Sequence, residues 1–494
     1  MKSKKSWIAA GRFATISTGM LGVFSAAHAQ PFVPGDLVVS RSVYMGSAST
    51  VVVGQNLPGG GQAIANGSYP NVFANESVDS SFGVTSPIFL DEIKTNGALD
   101  KVIAVPDSLL TTSFPSKSEL ALNLSQDHHS LTFMGYASPI NHLDVSNSNT
   151  PNHFDPTNPV GTTVQRVIAQ YNANGSVSAT NVNSYSGNNG RAAIYANGNY
   201  YTVGNAGNGS GSPSQIVDNT GVQISKPGQS ETTMVGNYSV TQNGYKADKP
   251  GKDNNFRGET IFNNTLYVTK GSGSNGIDTV YQVGNAGSLP TISNAANTPI
   301  TIVTGFPTGL AKTNTAKFAP FGLFFANSDT LYVADEGDGT GTDANAGLEK
   351  WSKVNGVWHL DYTLQNGLNL GVQYSVNGLP TTLDPATTGL RNITGRVNSD
   401  GTVSIYAVTS TASGATDQGA DPNKLVSITD QLNYTTSAQS LSEQFSILKS
   451  ASYGEVLRGV AFAPTVPEPS SIAALLMGVA GLGFGVLKRR RSQV

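Results

Sequence analysis

The chain has no cysteine among its 494 residues. A disulfide framework, thiolate metal sites and cysteine nucleophiles are therefore all excluded. Charge is scarce as well. Asp, Glu, Lys and Arg make up 12% of the chain, about half of the roughly 25% usual in soluble domains. Gly, Asn, Ser and Thr fill those places, a composition common in the loops of extracellular β-proteins. No G-x-S-x-G, H-E-x-x-H or P-loop sequence occurs, so three widespread enzyme signatures are missing. No long segment keeps a helical period before the C-terminal apolar run. The one exception expected in the body is a short helix at residues 437–449.

What is present begins with the two ends. Lys2, Lys4, Lys5 and Arg12 precede a short, mostly apolar or small stretch. Ala27-His28-Ala29 follows as an A-x-A cleavage site. Residues 1–29 thus read as a secretory signal peptide and are set aside from fold reasoning. At the other end, residues 466–494 open with Val466-Pro467-Glu468-Pro469. Residues 471–487 are then uncharged and mostly apolar, and Lys488-Arg489-Arg490-Arg491 follows. Seventeen such residues lie at the lower limit for a helix that crosses a bilayer. The basic cluster should stay on the cytoplasmic side.

A signal peptide at one end, with Pro467, Glu468, Pro469, an apolar helix and Arg489, Arg490 and Arg491 at the other, resembles the PEP-CTERM family of exported bacterial proteins. The resemblance covers about thirty residues and implies a sorting route, not a fold. In that family an exosortase, a membrane protease-transpeptidase, recognises the tail and cuts near the Pro-Glu-Pro. The hosts are mostly Gram-negative bacteria that make extracellular polysaccharide. The implied partners are the export machinery, the inner membrane in transit, an exosortase and extracellular polysaccharide. The implied destination is the outer surface or the medium.

The targeting segments hide the charge of the body. The signal and the tail hold eight bases and one acid, Glu468. Without them, 21 basic residues face 31 acidic ones. An acidic body is a poor partner for nucleic acid, whose phosphates demand Lys and Arg.

Residues 30–465 carry an internal repeat. Its clearest copies are residues 256–268 and 320–333. Each is a short apolar strand, a polar turn with Asn or Asp, and a second strand rich in β-branched and aromatic residues. Weaker copies occupy 191–203, 391–406 and 122–133. The second strands centre on Val39, Phe133, Val203, Val268, Val333 and Tyr406, which lie 65 to 94 residues apart. The longest interval contains a Gly-rich insertion at 54–67. Residues 457–462 match a first strand with no successor, and residues 36–41 match a second strand with no predecessor. Pairing them gives an all-β, six-bladed β-propeller whose last blade is shared between the chain ends, which leaves no open sheet edge. Seven blades, with one more unit in residues 45–120, and a β-sandwich or β-solenoid are the alternatives.

Arg191, Arg257, Arg391 and Arg458 stand at one position of the repeat, just before the first strand, where the copy at 320–333 has Phe321. On a propeller they meet at one mouth of the central channel. They either bind a carboxylate or phosphate there through their planar forks, or staple neighbouring blades. The loop with Asp335, Glu336, Asp338 and Asp343 is a candidate Ca²⁺ site, without EF-hand spacing; Asp417 and Asp421 fall in another such loop. His128, His129, His142 and His153, with Asp127, Asp144 and Asp155, lack any established metal-ligand spacing. Gly271, Gly273 and Gly276 satisfy G-x-G-x-x-G, but a strand pattern follows instead of a helix, so a hairpin loop is expected. Trp351 and Trp358 flank a turn at Asn355-Gly356 and are read as core rather than as a sugar platform. The expected function is an exported module that binds glycan, protein or a small anion, or has a structural role. The alternative is a Ca²⁺-dependent propeller hydrolase or lactonase.

Overall fold

The computed structural model describes residues 31–46, 52–56, 62, 83–207, 219–247, 251–313, 317–412 and 419–466. They form six four-stranded antiparallel sheets. Blade 1 orders its strands Glu455–Phe462, Leu37–Val43, Ile88–Ile93 and Leu99–Ala104. Blades 2, 3 and 4 begin at Asn123–Leu124, Gly190–Ala196 and Glu259–Phe262. Blades 5 and 6 begin at Pro320–Asn327 and Ala386–Val397. These first strands neighbour one another around a central axis. The fold is an all-β, six-bladed propeller. Residues 88–104 supply the outer strands of blade 1, and the one further sheet among the described residues is a two-stranded pairing of Thr85–Ser86 with Thr112–Ser113, not a seventh blade.

The ring closes through its own ends. Leu37 pairs with Phe462, Val39 with Val460 and Ser40 with Gly459. Hairpin chemistry sets the register elsewhere. Asn197-Gly198, Asn263-Asn264 and Asn355-Gly356 all have positive φ at both positions, as the tight turns that match strand twist require. The core lies between the faces of adjoining blades rather than at the axis. Val268 and Tyr281 pack with Val203 and Ile224 between blades 3 and 4. Tyr406 and Leu425 pack with Val39 and Val460 between blades 6 and 1. Trp351 and Trp358 are each 5% exposed, and Trp351 stacks on Phe306 at 4.1 Å between ring centres.

The glycine that follows Arg257 and Arg458 has a packing cause. A Cβ on Gly258 would stand 2.1 Å from the Phe321 carbonyl oxygen, and one on Gly459 would stand 2.4 Å from the Leu122 nitrogen. The missing side chain lets neighbouring inner strands touch backbone to backbone.

Residues 437–449 are not helical. Turns lead into the strand Ser446–Ser450, which pairs with Lys424–Gln431 at the outer edge of blade 6. The exposed ladder there has donors and acceptors to satisfy, and tertiary pairing outweighs local propensity. Helical structure among the described residues is limited to four short 3₁₀ turns. None is long and apolar enough to cross a membrane. Residues 1–29, the tail from Pro467 onward and most of the 54–67 insertion lie outside the described residues.

Candidate functional site

Each first strand starts at the same mouth of the channel, because strands 2 and 4 return the chain to that side. Arg191, Arg257, Arg391 and Arg458 therefore converge there, each 5% exposed. The segment 114–119, which leads into blade 2, lies across this mouth. Arg257 Nη1 donates to Ser118 Oγ and Arg458 Nη2 to the Phe114 carbonyl. Asn189 donates to Ser116 Oγ at 2.9 Å. Two of the four arginines thus hold a plug made from the chain itself. Arg191 instead joins blades 3 and 4 through the Phe256 carbonyl, 2.6 Å away. Arg391 Nε donates to Glu336 Oε2 at 3.1 Å.

Positive charge is in excess at this mouth. Glu336 is the ionised partner of the group: burial raises its pKa, but Lys117, Arg391 and Arg257 outweigh that and bring it down to about 2. For Lys117 the attraction of Glu336 raises the pKa, while burial and the three arginines together carry it down to about 8. Glu119 and Glu259 compensate poorly, since burial pushes both of them up. Glu259 has no hydrogen-bond partner at either carboxyl oxygen. Beside the plug a cavity of about 270 Å³ remains, bordered by Lys117, Lys317 and Arg391 and by Asp278, Glu336 and Asp338, of which Asp278 is paired with the Lys270 ammonium at 2.6 Å. Gly271, Gly273, Gly337 and Gly339 leave its wall free of bulky side chains. Such a site suits a small polar ligand with an anionic group: the Arg391 fork spends one nitrogen on Glu336, and charge-assisted bonds to the others are the strong ones.

No family model matches the chain, and no curated protein sequence does. Solved structures that align with it include a nidogen/laminin complex, at 12% identity over 77% of this chain and 97% of that one, with a TM-score of 0.34. The hemagglutinin-neuraminidase ectodomain of parainfluenza virus 5 aligns at 10% identity over 71% and 77%, with a TM-score of 0.36. The N-terminal domain of Nup159 aligns at 7% identity over 87% and 98%, with a TM-score of 0.30. At these values the likenesses add nothing to what the strand pairing already establishes.

The acidic loop is tied to the backbone. Asp335 accepts from the Ala319 and Gly337 amides, both at 2.7 Å. Asp338 accepts from the Thr340 amide at 2.9 Å and faces Lys317 at 3.3 Å. Asp343 accepts from the Asn345 amide at 3.0 Å, while Glu336 turns to the arginines. These four carboxylates do not gather at one point. Among the described residues, the one group of three potential metal ligands with atoms within 4.8 Å of one another is Asp36, Glu92 and Asp100. The Lys101 ammonium already stands 2.8 Å from Glu92. His129 faces Asp127 at 3.4 Å and His153 faces Glu231 at 3.9 Å, both as ordinary loop contacts. The glycines at 271–276 lie in the hairpin between Thr265–Lys270 and Thr279–Val283, with no helix behind them. Asp417 falls outside the described residues.

The plug and Lys117 were missed in the sequence. Pro115-Ser116-Lys117-Ser118-Glu119 has no period and matches no motif. The signal was the 94-residue interval before Phe133, part of which crosses the channel.

Two acids, Asp335 in the core and the half-buried Glu443, give this body an unusual pH response. Burial pushes Asp335 up to about 8, reinforced by Asp343 and Glu336. Burial pushes Glu443 up to about 8, reinforced by Asp430. Unfolded, both titrate near about 4. The folded state binds these protons more tightly, so stability is full below pH about 4 and is lost as pH rises to about 8. Glu336 works in the opposite direction, and its contribution is lost only as pH falls from about 4.5 to 2. Lys117 recovers stability only above about 8. The expected result is a melting temperature that falls steadily from pH 5 to pH 8. A flat profile over that range would show that these carboxyls ionise freely.

Proposed function

We propose that this protein is an exported propeller that holds acidic polysaccharide at its charged channel mouth. The observation that carries the reading is the cavity at the channel mouth, where Lys117, Lys317 and Arg391, beside Asp278, Glu336 and Asp338 that are already paired with cations, border space large enough for one sugar carboxylate. The body as a whole is acidic, so the cationic mouth is a local feature rather than part of a general basic surface. Buried walls strengthen a fork-to-carboxylate bond there beyond its value in water. The signal peptide and the PEP-CTERM tail support delivery through the inner membrane, exosortase processing and release to the outer surface. A binding or structural role agrees with the propeller fold. No observation favours the hydrolase alternative.

One fractionation experiment tests both halves. The full chain, expressed in a Gram-negative host with an exosortase and an acidic exopolysaccharide, should leave the cell and sediment with the polysaccharide. Free glucuronate should elute it and glucose should not. Replacing Pro467-Glu468-Pro469 by alanines should hold the protein in the inner membrane. Arg391→Gln should be exported but lose its retention on the polysaccharide by about tenfold or more. Export of the alanine variant would overturn the sorting half. Unchanged retention of Arg391→Gln, or equal elution by glucose, would overturn the binding half.

A further inference from the structure

The opposite mouth of the channel has the reverse chemistry. Each innermost strand ends there and contributes an apolar side chain to the wall of an open bowl of about 570 Å³. Going around the ring, these are Phe462, Leu124, Ile194, Ile261, Phe324 and Ile393. Four of them, Phe462, Leu124, Ile261 and Phe324, are only half-buried. Gly395 shapes this wall, since a Cβ there would stand 2.5 Å from the Phe324 ring. The bowl holds no carboxylate among its lining residues. It has one fixed cation, Arg396, exposed at the rim with its guanidinium 5.4 Å from the centre of the Phe462 ring.

We infer that this bowl is a second ligand site and takes a compact aromatic or alicyclic carboxylate. Three features specify that class. The volume falls within the roughly 300–1,000 Å³ of small-molecule pockets, which are concave, mostly apolar and largely preformed. The strand segment 393–396 gives the wall a height of about 10 Å, which suits a two-ring skeleton better than a long flexible chain. The charge pattern supplies the third. A neutral apolar ligand would use only the Phe462 face that Arg396 already covers and none of its N–H donors, and a cation would meet repulsion with no acid among the lining residues to relieve it. A carboxylate at the rim receives the guanidinium fork while its rings displace water from Phe324, Ile261 and Leu124. This site is separate from the plugged mouth, so its test does not depend on the polysaccharide reading.

The experiment is calorimetric titration of the full chain, held in nanodiscs of neutral phosphatidylcholine, with 2-naphthoate and with 2-naphthamide. Empty nanodiscs provide the reference for partitioning into lipid. The naphthoate should bind about tenfold more tightly than the amide. Arg396→Gln should erase that preference by weakening the acid alone. Arg396 is exposed, so this variant keeps the fold. Thr394→Trp, which fills the bowl from its wall, should abolish both titrations. Equal affinity for acid and amide, no binding of either, or titrations unchanged in Thr394→Trp would overturn the assignment. So would binding that appears only after the segment beyond Val466 is cut away, since that segment would then be the bowl's occupant.

Discussion

Gly459→Val is expected to open the propeller. Gly459 pairs with Ser40 across the seam that joins the chain ends. Its Cα also faces blade 2, where any Cβ would stand 2.4 Å from the Leu122 nitrogen and 2.5 Å from the Leu120 carbonyl oxygen. Backbone cannot rotate out of the way as a side chain can. The inner strands of blades 1 and 2 must therefore separate, and Ser40 Oγ loses its 2.7 Å bond to the Leu120 carbonyl. The cost should be about 3 kcal/mol or more, at the upper end for overpacking. Urea denaturation measures it, and limited proteolysis should release the strand Leu37–Val43 first. Gly161→Val, where nothing lies within 4 Å, is the control and should change little. Wild-type stability for Gly459→Val would mean that the two ends do not lock the ring.

Lys350→Met should have an effect of similar size for an electrostatic reason. Lys350 in blade 5 and Asp430 in blade 6 are fully buried and 2.8 Å apart. The Tyr362 hydroxyl donates to the same carboxylate at 2.5 Å, and Tyr332 donates as well. Lys350 also reaches the Gln431 carbonyl at 2.7 Å. Removing the ammonium leaves a carboxylate in an apolar seam without its countercharge. Breaking one side of such a pair costs about 3–5 kcal/mol. The double variant Lys350→Met with Asp430→Leu should recover much of the loss, because it removes both desolvated charges. Thermal melts of the three variants decide this. If the double variant is as unstable as the single one, the seam depends on the hydroxyl network rather than on the charge pair.

The legibility of this chain followed the range of the interactions involved. Hairpin turns such as Asn263-Asn264 and Asn197-Gly198 are local. Residues two apart fix them, so the sequence displayed five units and the two halves of a sixth. Ring closure was legible for the same reason, since a first strand at 457–462 and a second strand at 36–41 each lacked a partner. The repeated arginines were legible as a set, but their roles were not. Arg257 and Arg458 hold the segment 114–119, Arg191 joins two blades, and Arg391 faces Glu336. Nothing within a few residues of each arginine distinguishes these roles.

The sequence by itself determined the all-β class and the closing seam, and it favoured six blades over the seven that the sheet pairing then ruled out. Each of these depends on local periodicity, turn chemistry or composition. Only the tertiary structure decided that one channel mouth is plugged and cationic and that the other is an apolar bowl. It also decided that the strand Ser446–Ser450, not a helix, completes blade 6. Those outcomes depend on groups far apart in sequence, such as Phe114 and Arg458 or Lys350 and Asp430. Their burial sets their energies, and burial is a property of the closed ring rather than of any segment.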